Sequence, residues 1–562
     1  MSALIECVPN FSEGRNLDVI RQVTARIESV EGATLLHVDP GKATNRTVVT
    51  FAGPPDAVVE AAFQAIAAAA QLIDMRRHTG EHPRMGATDV CPLIPVSGIS
   101  MAETAEHARR LAERVGRELG IPVYLYEAAQ PDPTKKNLSV IRAGEYEGLP
   151  TKLADAAWRP DFGPAAFNPK SGATVIGARD FLVAFNVNLN TTSTRRANAV
   201  AFDVRESGRP LRESDPLTGG IVTDAAGNPV MIPGSLKAVK AIGWYIEEYG
   251  IAQVSMNLTD LRVTSLHAAF DEVCRRAEAR GLRVTGSELV GLIPKAALLD
   301  AGRYFLRKQR RSVGVSEPEL LRIAVKSLGL DDLGPFNPEE RIIEYRLQDP
   351  AAHRLAGLSL GEFLDEAASE SVAPGGGSVA AAVGALGAAL GTMVANLSAH
   401  KRGWDDRWEE FSRWAEQGQR IKDELLCLVD EDTLAFTRVM AALGMPKGTE
   451  GEKAARAEAL EAANLGALEV PWHVMRISHS ALDLLHAMAE EGNPASASDA
   501  GVGVLCVRAA VRGAWLNVRT NAGGIKKKGA IASILEEGAR LEQDTARRET
   551  EILRIVEQRM AG

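Results

Sequence analysis

Cysteine is scarce: 562 residues contain five, at Cys7, Cys91, Cys274, Cys427 and Cys506. They are scattered and odd in number, so neither a disulfide framework nor a metal-ligand spacing is read, and the pattern predicts reduced thiols in a cytosol. Positive charge is also short. Lys and Arg number 64 against 73 Asp and Glu, a net charge of -9, which argues against general nucleic-acid binding and requires any cation site to be local. No apolar run is read as approaching the length that spans a bilayer, and Ala65 to Ala70 belongs to a helix with charged flanks. The first residues, Met-Ser-Ala-Leu-Ile-Glu-Cys, lack a basic region followed by an apolar core, so no secretory signal is expected and the localisation is read as cytoplasmic.

The length predicts two to four domains. A strand at 4–8 and a helix from Asn16, with Leu17, Ile20, Val23, Ile27 and Val30 at helical spacing, open the chain. Two strands, a helix to Met75, a strand at 91–96, a helix from Ala102 and a strand at Pro122 to Tyr126 complete a β-α-β-β-α-β order. A second unit of that order follows from Phe181. The expected fold is α/β (α+β): two ferredoxin-like subdomains, 1–181 and 182–346, facing one another across a cleft. A Gly/Pro-rich insertion at 207–235 is too long for a simple connector. A linker at 347–354 precedes a region in which nearly every segment has helical period, and 355–562 is expected to be an all-α bundle.

The densest chemistry lies in His78-Thr79-Gly80-Glu81-His82-Pro83-Arg84-Met85-Gly86-Ala87-Thr88-Asp89-Val90-Cys91-Pro92. Glycine and proline exclude a continued helix, so the polar groups are placed on a constrained loop, where catalytic side chains tend to be found. The bland alternative is a solvated turn. Asn186 and Asn188 share a strand face, which suits a cleft wall better than an apolar core.

That loop, with Glu6-Cys7-Val8-Pro9-Asn10-Phe11-Ser12-Glu13-Gly14, resembles the formimidoyltransferase-cyclodeaminase family, and the resemblance covers essentially the whole chain. It implies that His82 is the catalytic histidine of glutamate formimidoyl transfer. A neutral imidazole suits the removal of the N-5 proton as tetrahydrofolate attacks the amidine carbon. Asp39 is the candidate partner of the imidazole or amidinium, and Asn10 of the formimidoyl group; both also stand in turn-prone stretches. Arg46 and Arg84 are the nearest cations for the glutamate carboxylates. His78 is read as closer to a structural histidine. The resemblance places folate contacts at Gly163-Pro164-Ala165-Ala166-Phe167-Asn168-Pro169-Lys170-Ser171-Gly172 and at Gly234-Ser235-Leu236. Small residues admit a flat pterin, Phe167 offers a stacking face, and Lys170 and Lys237 suit a glutamate tail.

In the second half, Ala373-Pro374-Gly375-Gly376-Gly377-Ser378 resembles the entry motif of the cyclodeaminase domain, with Ser378 able to cap the next helix. The catalytic aspartate implied by the resemblance is Asp432. Asp430 is two residues away on the same helix and so points elsewhere; Leu428, Val429, Ala435 and Phe436 suggest that this helix is substantially buried. Asn517-Val518-Arg519-Thr520-Asn521 resembles a second family segment, and Lys526-Lys527-Lys528 follows as a cation cluster. The implied activity is bifunctional: the formimidoyl group passes from N-formimidoyl-L-glutamate to tetrahydrofolate, and the product is cyclised to 5,10-methenyltetrahydrofolate with release of ammonia. Tetrahydrofolate, expected to be polyglutamylated, is the cosubstrate. No metal, nucleic acid or membrane is expected, and the family implies a ring-like homo-oligomer. The alternatives are a cyclohydrolase second half or an inactive folate-binding scaffold; both His82 and Asp432 stand in intact motifs, which argues against the scaffold.

Overall fold

A computed structural model describes residues 3–41, 45–80, 83–214, 219–347, 355–526 and 528–561. It divides into two compact units, Met1–Ala301 with Val325–Gln348 and Gly302–Ala324 with Asp349–Gly562. Most of the linker stretch, 348–354, lies outside the described residues.

The first unit is mixed α/β. Its first sheet comes from β1 (Leu4–Cys7), β2 (Asn10–Phe11), β3 (Thr34–Gly41), β4 (Arg46–Gly53), β5 (Thr88–Ser97), β6 (Val123–Glu127) and β7 (Thr174–Ala178), in the order β1-β4-β2-β5-β7-β6 with β3 on β4. Three helices, α1 (Leu17–Glu28), α2 (Pro55–Leu72) and α3 (Met101–Leu119), cover one face. Helical spacing puts Ile20, Val23 and Ile27 of α1 into the core, while Leu17 stays exposed. Asn16 caps α1 by accepting from the Asp18 and Val19 amides, and a Ser100–Glu103 capping box starts α3.

Two expectations need correction. Thr88 to Pro92 do not belong to the loop: they begin β5, where Thr88 pairs with Phe11 and Val90 with both Asn10 and Val175. Strand β7 was not foreseen. It runs parallel to β5 and β6 with every residue buried, and a short central strand buried on both faces leaves no alternation to read.

The second sheet is antiparallel. It contains β8 (Val183–Leu189), β9 (Val239–Ile246), β10 (Ile251–Leu258) and β11 (Val284–Val290) in the order β9-β10-β8-β11, with α4 (Thr194–Val204) and α5 (Leu266–Glu278) between strands in sequence. Val183, Phe185, Val187 and Leu189 are all buried, the period-2 pattern that packs one face of β8. Within 207–235, residues Arg209–Pro210 pair with Met231–Ile232; 215–218 lie outside the described residues.

On β1, Ile5 and Cys7 enter the helix-covered core, so Glu6 projects from the other face. Glu6 is only 4% exposed. Burial lifts its carboxyl from the ordinary 4.5 to about 7, with Arg179 opposing and Glu344 reinforcing the rise. An acid raised in the folded state contributes stability while protonated, and that contribution is lost as pH climbs from 4.5 through about 7. The ceiling is on the order of 3 kcal/mol, at ~1.4 kcal/mol for each pH unit of displacement. Glu6→Gln is therefore expected to raise the thermal unfolding midpoint more at pH 8 than at pH 5; an equal shift at both pH values would contradict the assignment.

The second unit is helical: α6 (Gly376–Ala399), α7 (Trp408–Gly444), α8 (Glu450–Glu491), α9 (Ala497–Ala522) and α10 (Ala532–Ala561). Here the expectation about apolar runs fails. Helix α6 has 24 residues without a charged side chain, long and apolar enough to cross a membrane. Most of it is instead buried among the other helices, where Gly384, Gly387, Ala388 and Gly391 allow close approach.

Candidate active sites

In the first unit, Glu81 and His82 lie outside the described residues, but the frame on either side of them is described. His78 Nδ1 accepts from Arg84 Nε at 3.3 Å, so the ring proton sits on Nε2, which donates to the Asn45 carbonyl at 2.8 Å. Burial lowers the His78 pKa, and a neutral ring suits this pattern of one acceptor and one donor. Asn45 binds the loop further: its Nδ2 donates to the Thr79 carbonyl at 2.9 Å, and its Oδ1 accepts from the Gly14 amide at 3.0 Å. A Cβ on Gly14 would lie 2.3 Å from the Gly41 carbonyl oxygen, so only glycine permits this crossing. His78 is thus a structural tie that holds the start of the loop.

Arg84 must be reassigned. Its guanidinium bonds Glu147 at 2.6 and 3.0 Å and Glu145 at 3.2 Å, so the cation read as a candidate for substrate carboxylates is already neutralised. Those acids stand 61 and 63 residues away in sequence. Arg46 is half-buried beside Asp39, Asp89 and Arg142; burial lowers its pKa while both aspartates oppose this. Asp89, 1% exposed, accepts from the Met85 amide and pairs with Arg142. That pair is not legible in the sequence, because Arg142 lies outside every motif.

Asn10 and Asp39 meet in one row of the sheet. Both pair with Val48 from opposite sides, and Asn10 also pairs with Val90. Residues paired directly across strands share a face, so Asn10 and Asp39 lie on the face away from the α1–α3 core. Arg46, two residues before Val48, shares it. Asp39 is exposed; Asn10 is nearly buried, and its Nδ2 donates to the Val8 carbonyl at 3.1 Å.

The 163–172 segment runs mostly exposed to the His82 loop. Its end is bonded to that loop and to the turn before it: Met75 N donates to Lys170 O, Ala87 N to Ser171 O, and Gly86 bridges Gly172. Phe167 packs on Tyr146 with ring centroids 5.5 Å apart, and Lys170 Nζ donates to the Gln71 carbonyl at 2.7 Å. In this chain the aromatic face and the ammonium are therefore partly engaged. Gly234, Ser235 and Leu236 lie against the end of α4, with Ser235 N and Leu236 N donating to Asp203 O and Val204 O. Lys237 stands 3.7 Å from Glu206.

Asn186 and Asn188 are buried, and both belong to a polar network. Asn186 Nδ2 donates to Glu288, Asn188 Nδ2 to Asp332, and Gln253 Nε2 to Asn188 Oδ1 at 2.8 Å. Their amides are thus answered by side chains of this same unit. Gln253 and Glu288 sit beside them on neighbouring strands, and the period-2 alternation that singles out the asparagines is the sequence signal for both.

The second unit holds a cavity of about 410 Å³ at the start of α6. Gly375, Gly376 and Gly377 line it, and Asp432 reaches in from α7. Asp432 Oδ2 accepts from Ser378 N at 2.8 Å and from Ser378 Oγ at 3.0 Å. Ser378 is not the N-cap, as had been expected; the helix begins at Gly376 with Gly375 in the cap position, and the carboxylate of another helix binds an N-terminal amide. A Cβ on Gly377 would fall 2.2 Å from Asp432 Oδ1, so that carboxylate fits only against glycine. Burial nevertheless raises the Asp432 pKa, against the Ser378 hydrogen bonds. Asp430 instead accepts from the Ala356 amide at 3.4 Å and does not line the cavity. Burial of the surrounding helix was overstated: Val429 and Ala435 are buried, but Leu434 and Phe436 are 48% and 39% exposed, because only one face of α7 packs inward.

Asn517, Thr520 and Asn521 of α9 and Asn464 of α8 also line this cavity. Asn464 and Gly524 are shared with a second cavity of about 320 Å³, lined by four cations, Lys447, Lys453, Arg456 and Lys526, and one carboxylate, Glu461. Of the expected Lys526–Lys528 cluster, Lys527 and the side chain of Lys528 lie outside the described residues. Among the described residues no three His, Cys, Asp or Glu side chains gather as a metal would require.

Family models match along the chain: the formiminotransferase domain, N-terminal subdomain, over residues 4–179; the formiminotransferase domain over 184–348; and formiminotransferase-cyclodeaminase over 359–540. The chain is 44% identical over 562 residues to the formimidoyltransferase-cyclodeaminase of Gallus gallus, with all of both chains covered. It is 41% identical to the glutamate formimidoyltransferase of Streptococcus pyogenes serotype M1, over 55% of this chain and 94% of that one. It is also 36% identical to the methenyltetrahydrofolate cyclohydrolase of Methylorubrum extorquens, over 31% of this chain and 84% of that one.

Proposed function

Because the chain belongs to the formimidoyltransferase-cyclodeaminase family, we propose that its two units carry out two consecutive folate reactions of histidine degradation. The first transfers the formimidoyl group of N-formimidoyl-L-glutamate to tetrahydrofolate, giving 5-formimidoyltetrahydrofolate and glutamate. The second closes the ring to 5,10-methenyltetrahydrofolate and releases ammonia. The two sheets of the first unit are two ferredoxin-like subdomains, a reading that the β8-α4-β9-β10-α5-β11 order supports.

In the transferase, His82 takes the N-5 proton as that nitrogen attacks the amidine carbon, and returns a proton to the departing glutamate nitrogen. The tie through His78 and Asn45 holds the loop, and the sheet row carrying Asn10, Asp39 and Arg46 faces the substrate. In the cyclodeaminase, Asp432 accepts the N-10 proton and delivers it to the leaving nitrogen. The observation that carries this reading is the Asp432 carboxylate, partly buried in a cavity and held on one oxygen by Ser378. A carboxylate whose pKa is raised by burial is a better base toward the N-10 proton, and its protonated form persists closer to neutral pH to deliver that proton to the leaving nitrogen. The cation-lined neighbouring cavity suits the carboxylates of a polyglutamylated cosubstrate. The enzyme is cytoplasmic, acts on small molecules, and assembles as a ring-like homo-oligomer.

A second reading, favoured by the likeness of the helical half to a cyclohydrolase, has that half open a methenyl ring with water. One experiment decides: purified protein receives N-formimidoylglutamate and tetrahydrofolate, and ammonia and methenyl absorbance are followed together. Both should rise in equal amount. Transfer without ammonia would leave the cyclohydrolase reading standing.

A further inference from the structure

The segment Asn517 to Asn521 has no role in the chemistry derived so far, yet it lines the Asp432 cavity. Asn517 and Asn521 are four residues apart on α9 and so lie one turn apart on one face; α8 contributes Asn464 to the same cavity. One N–H of each amide is committed to a main-chain carbonyl, which fixes how the side chain is turned. Asn517 Nδ2 donates to Gly513 O at 3.0 Å, Asn521 Nδ2 to Ala467 O at 2.6 Å, and Asn464 Nδ2 to Gly524 O at 3.4 Å. An amide tied down by its nitrogen has its oxygen left to accept. Among the described residues none of the three oxygens has a hydrogen-bond donor. Nor, among the described residues, does any lysine or arginine line this cavity; of the described side chains in its wall, the Asp432 carboxylate is the charged one. The cations lie next door, beyond Asn464 and Gly524.

The start of α6 presents main-chain N–H groups to one side of this cavity, whereas the side with the asparagine oxygens and the Asp432 carboxylate favours a ligand part that is positive and rich in N–H groups. We propose that Asn464, Asn517 and Asn521 form a wall of amide oxygens that binds the amidinium of 5-formimidoyltetrahydrofolate through its N–H protons and holds the departing nitrogen beside Asp432. This rests on the reading of the cavity as the ring-closing site.

The step balances. The N-10 lone pair forms the new bond to the amidine carbon, and the N-10 proton passes to the Asp432 carboxylate. Asp432 gives that proton to the amino nitrogen, the C–N bond breaks with its electron pair going to nitrogen, and neutral ammonia leaves. The single positive charge carried in on the amidinium stays on the N-5–C–N-10 unit. Neutral amides suit this task better than further carboxylates would. Their hold on a charged amidinium is charge-assisted, and most of that attraction disappears when the nitrogen departs as neutral ammonia. The two adjoining cavities then sort the substrate by charge, with the formimidoyl end at the oxygens and the carboxylate end at the lysines.

The test uses the full-length enzyme supplied directly with 5-formimidoyltetrahydrofolate, together with Asn517→Leu and Asn521→Leu. Asn517→Leu is the cleaner variant, because its Nδ2 bonds only its own helix; Asn521→Leu also removes a tie to α8. Acetamidinium, a small cation of the same shape as the reacting group, serves as the probe and neutral acetamide as its control. Wild type is expected to be inhibited by acetamidinium and not by acetamide. Each variant should lose about tenfold or more in kcat/KM for ammonia release, and acetamidinium inhibition should weaken by a similar factor, while formimidoyl transfer continues at the wild-type rate. Unchanged kcat/KM together with unchanged acetamidinium inhibition in Asn517→Leu overturns the proposal. Direct calorimetric binding of acetamidinium separates this failure from a failure of the ring-closing assignment. Binding lost in the variants supports the oxygen wall even if wild type released no ammonia, and equal binding in all three proteins refutes it.

Discussion

Asp432→Asn is expected to abolish ammonia release while the 5-formimidoyl intermediate accumulates, with the rate falling by about 10²–10⁴. Asparagine keeps the shape of the side chain and can still accept from Ser378 N, so the glycine-lined entry to α6 should survive. It cannot take the N-10 proton or return one to the leaving nitrogen. The neighbouring acid is the internal control. Asp430 meets the Ala356 amide and not the cavity, so Asp430→Asn should cyclise at near the wild-type rate. The measurement is a time course of ammonia and methenyl absorbance for both variants, with transfer followed separately. Loss in Asp430→Asn and retention in Asp432→Asn would move the role to the neighbour. The pH profile adds a second readout. Burial raises the Asp432 pKa, so the ionised fraction is lost as pH falls through a value above the ordinary carboxylate range. The acid limb of cyclisation should appear at that higher pH in the wild type and vanish from the residual activity of Asp432→Asn.

His82→Gln is expected to stop formimidoyl transfer, again by about 10²–10⁴, and to leave cyclisation of added 5-formimidoyltetrahydrofolate intact. The paired histidine does not serve as a substitute. His78 is hydrogen-bonded through both ring nitrogens, to Arg84 and to the Asn45 carbonyl, and burial holds its pKa down. A ring with both nitrogens engaged has no free lone pair for an attacking amine. Single-turnover transfer by purified His82→Gln is the check, with circular dichroism and the second activity reporting on the fold. A rate near wild type would remove His82 from the chemistry and turn attention to the row carrying Asn10 and Asp39.

Local patterns account for what was legible in the residues. Helical spacing placed α1 and the long helices of the second unit, because a 3.6-residue period is imposed by the backbone whatever the packing partner. Glycine and proline placed the His78 loop, and the resemblance of short motifs singled out His82, Asp432 and the glycine run before α6. Spacing also implied that Asp430 and Asp432 diverge on their helix, though it could not choose between them. That choice belongs to the tertiary structure: the N-terminus of α6 approaches α7 closely enough for Ser378 to bond one aspartate, and Gly377 makes the space. The same limit hid the neutralisation of Arg84, whose partners Glu145 and Glu147 arrive from another element. It hid β7, whose uniform burial carries no period, and it hid the oxygens of Asn464, Asn517 and Asn521, whose availability depends on where their nitrogens are tied. Which segments become helix or strand, and which motifs carry reactive groups, follows from neighbouring residues and is written in the chain. Which charges are already satisfied and which face a cavity is set by the fold, because ion pairing and burial depend on groups brought together across the chain.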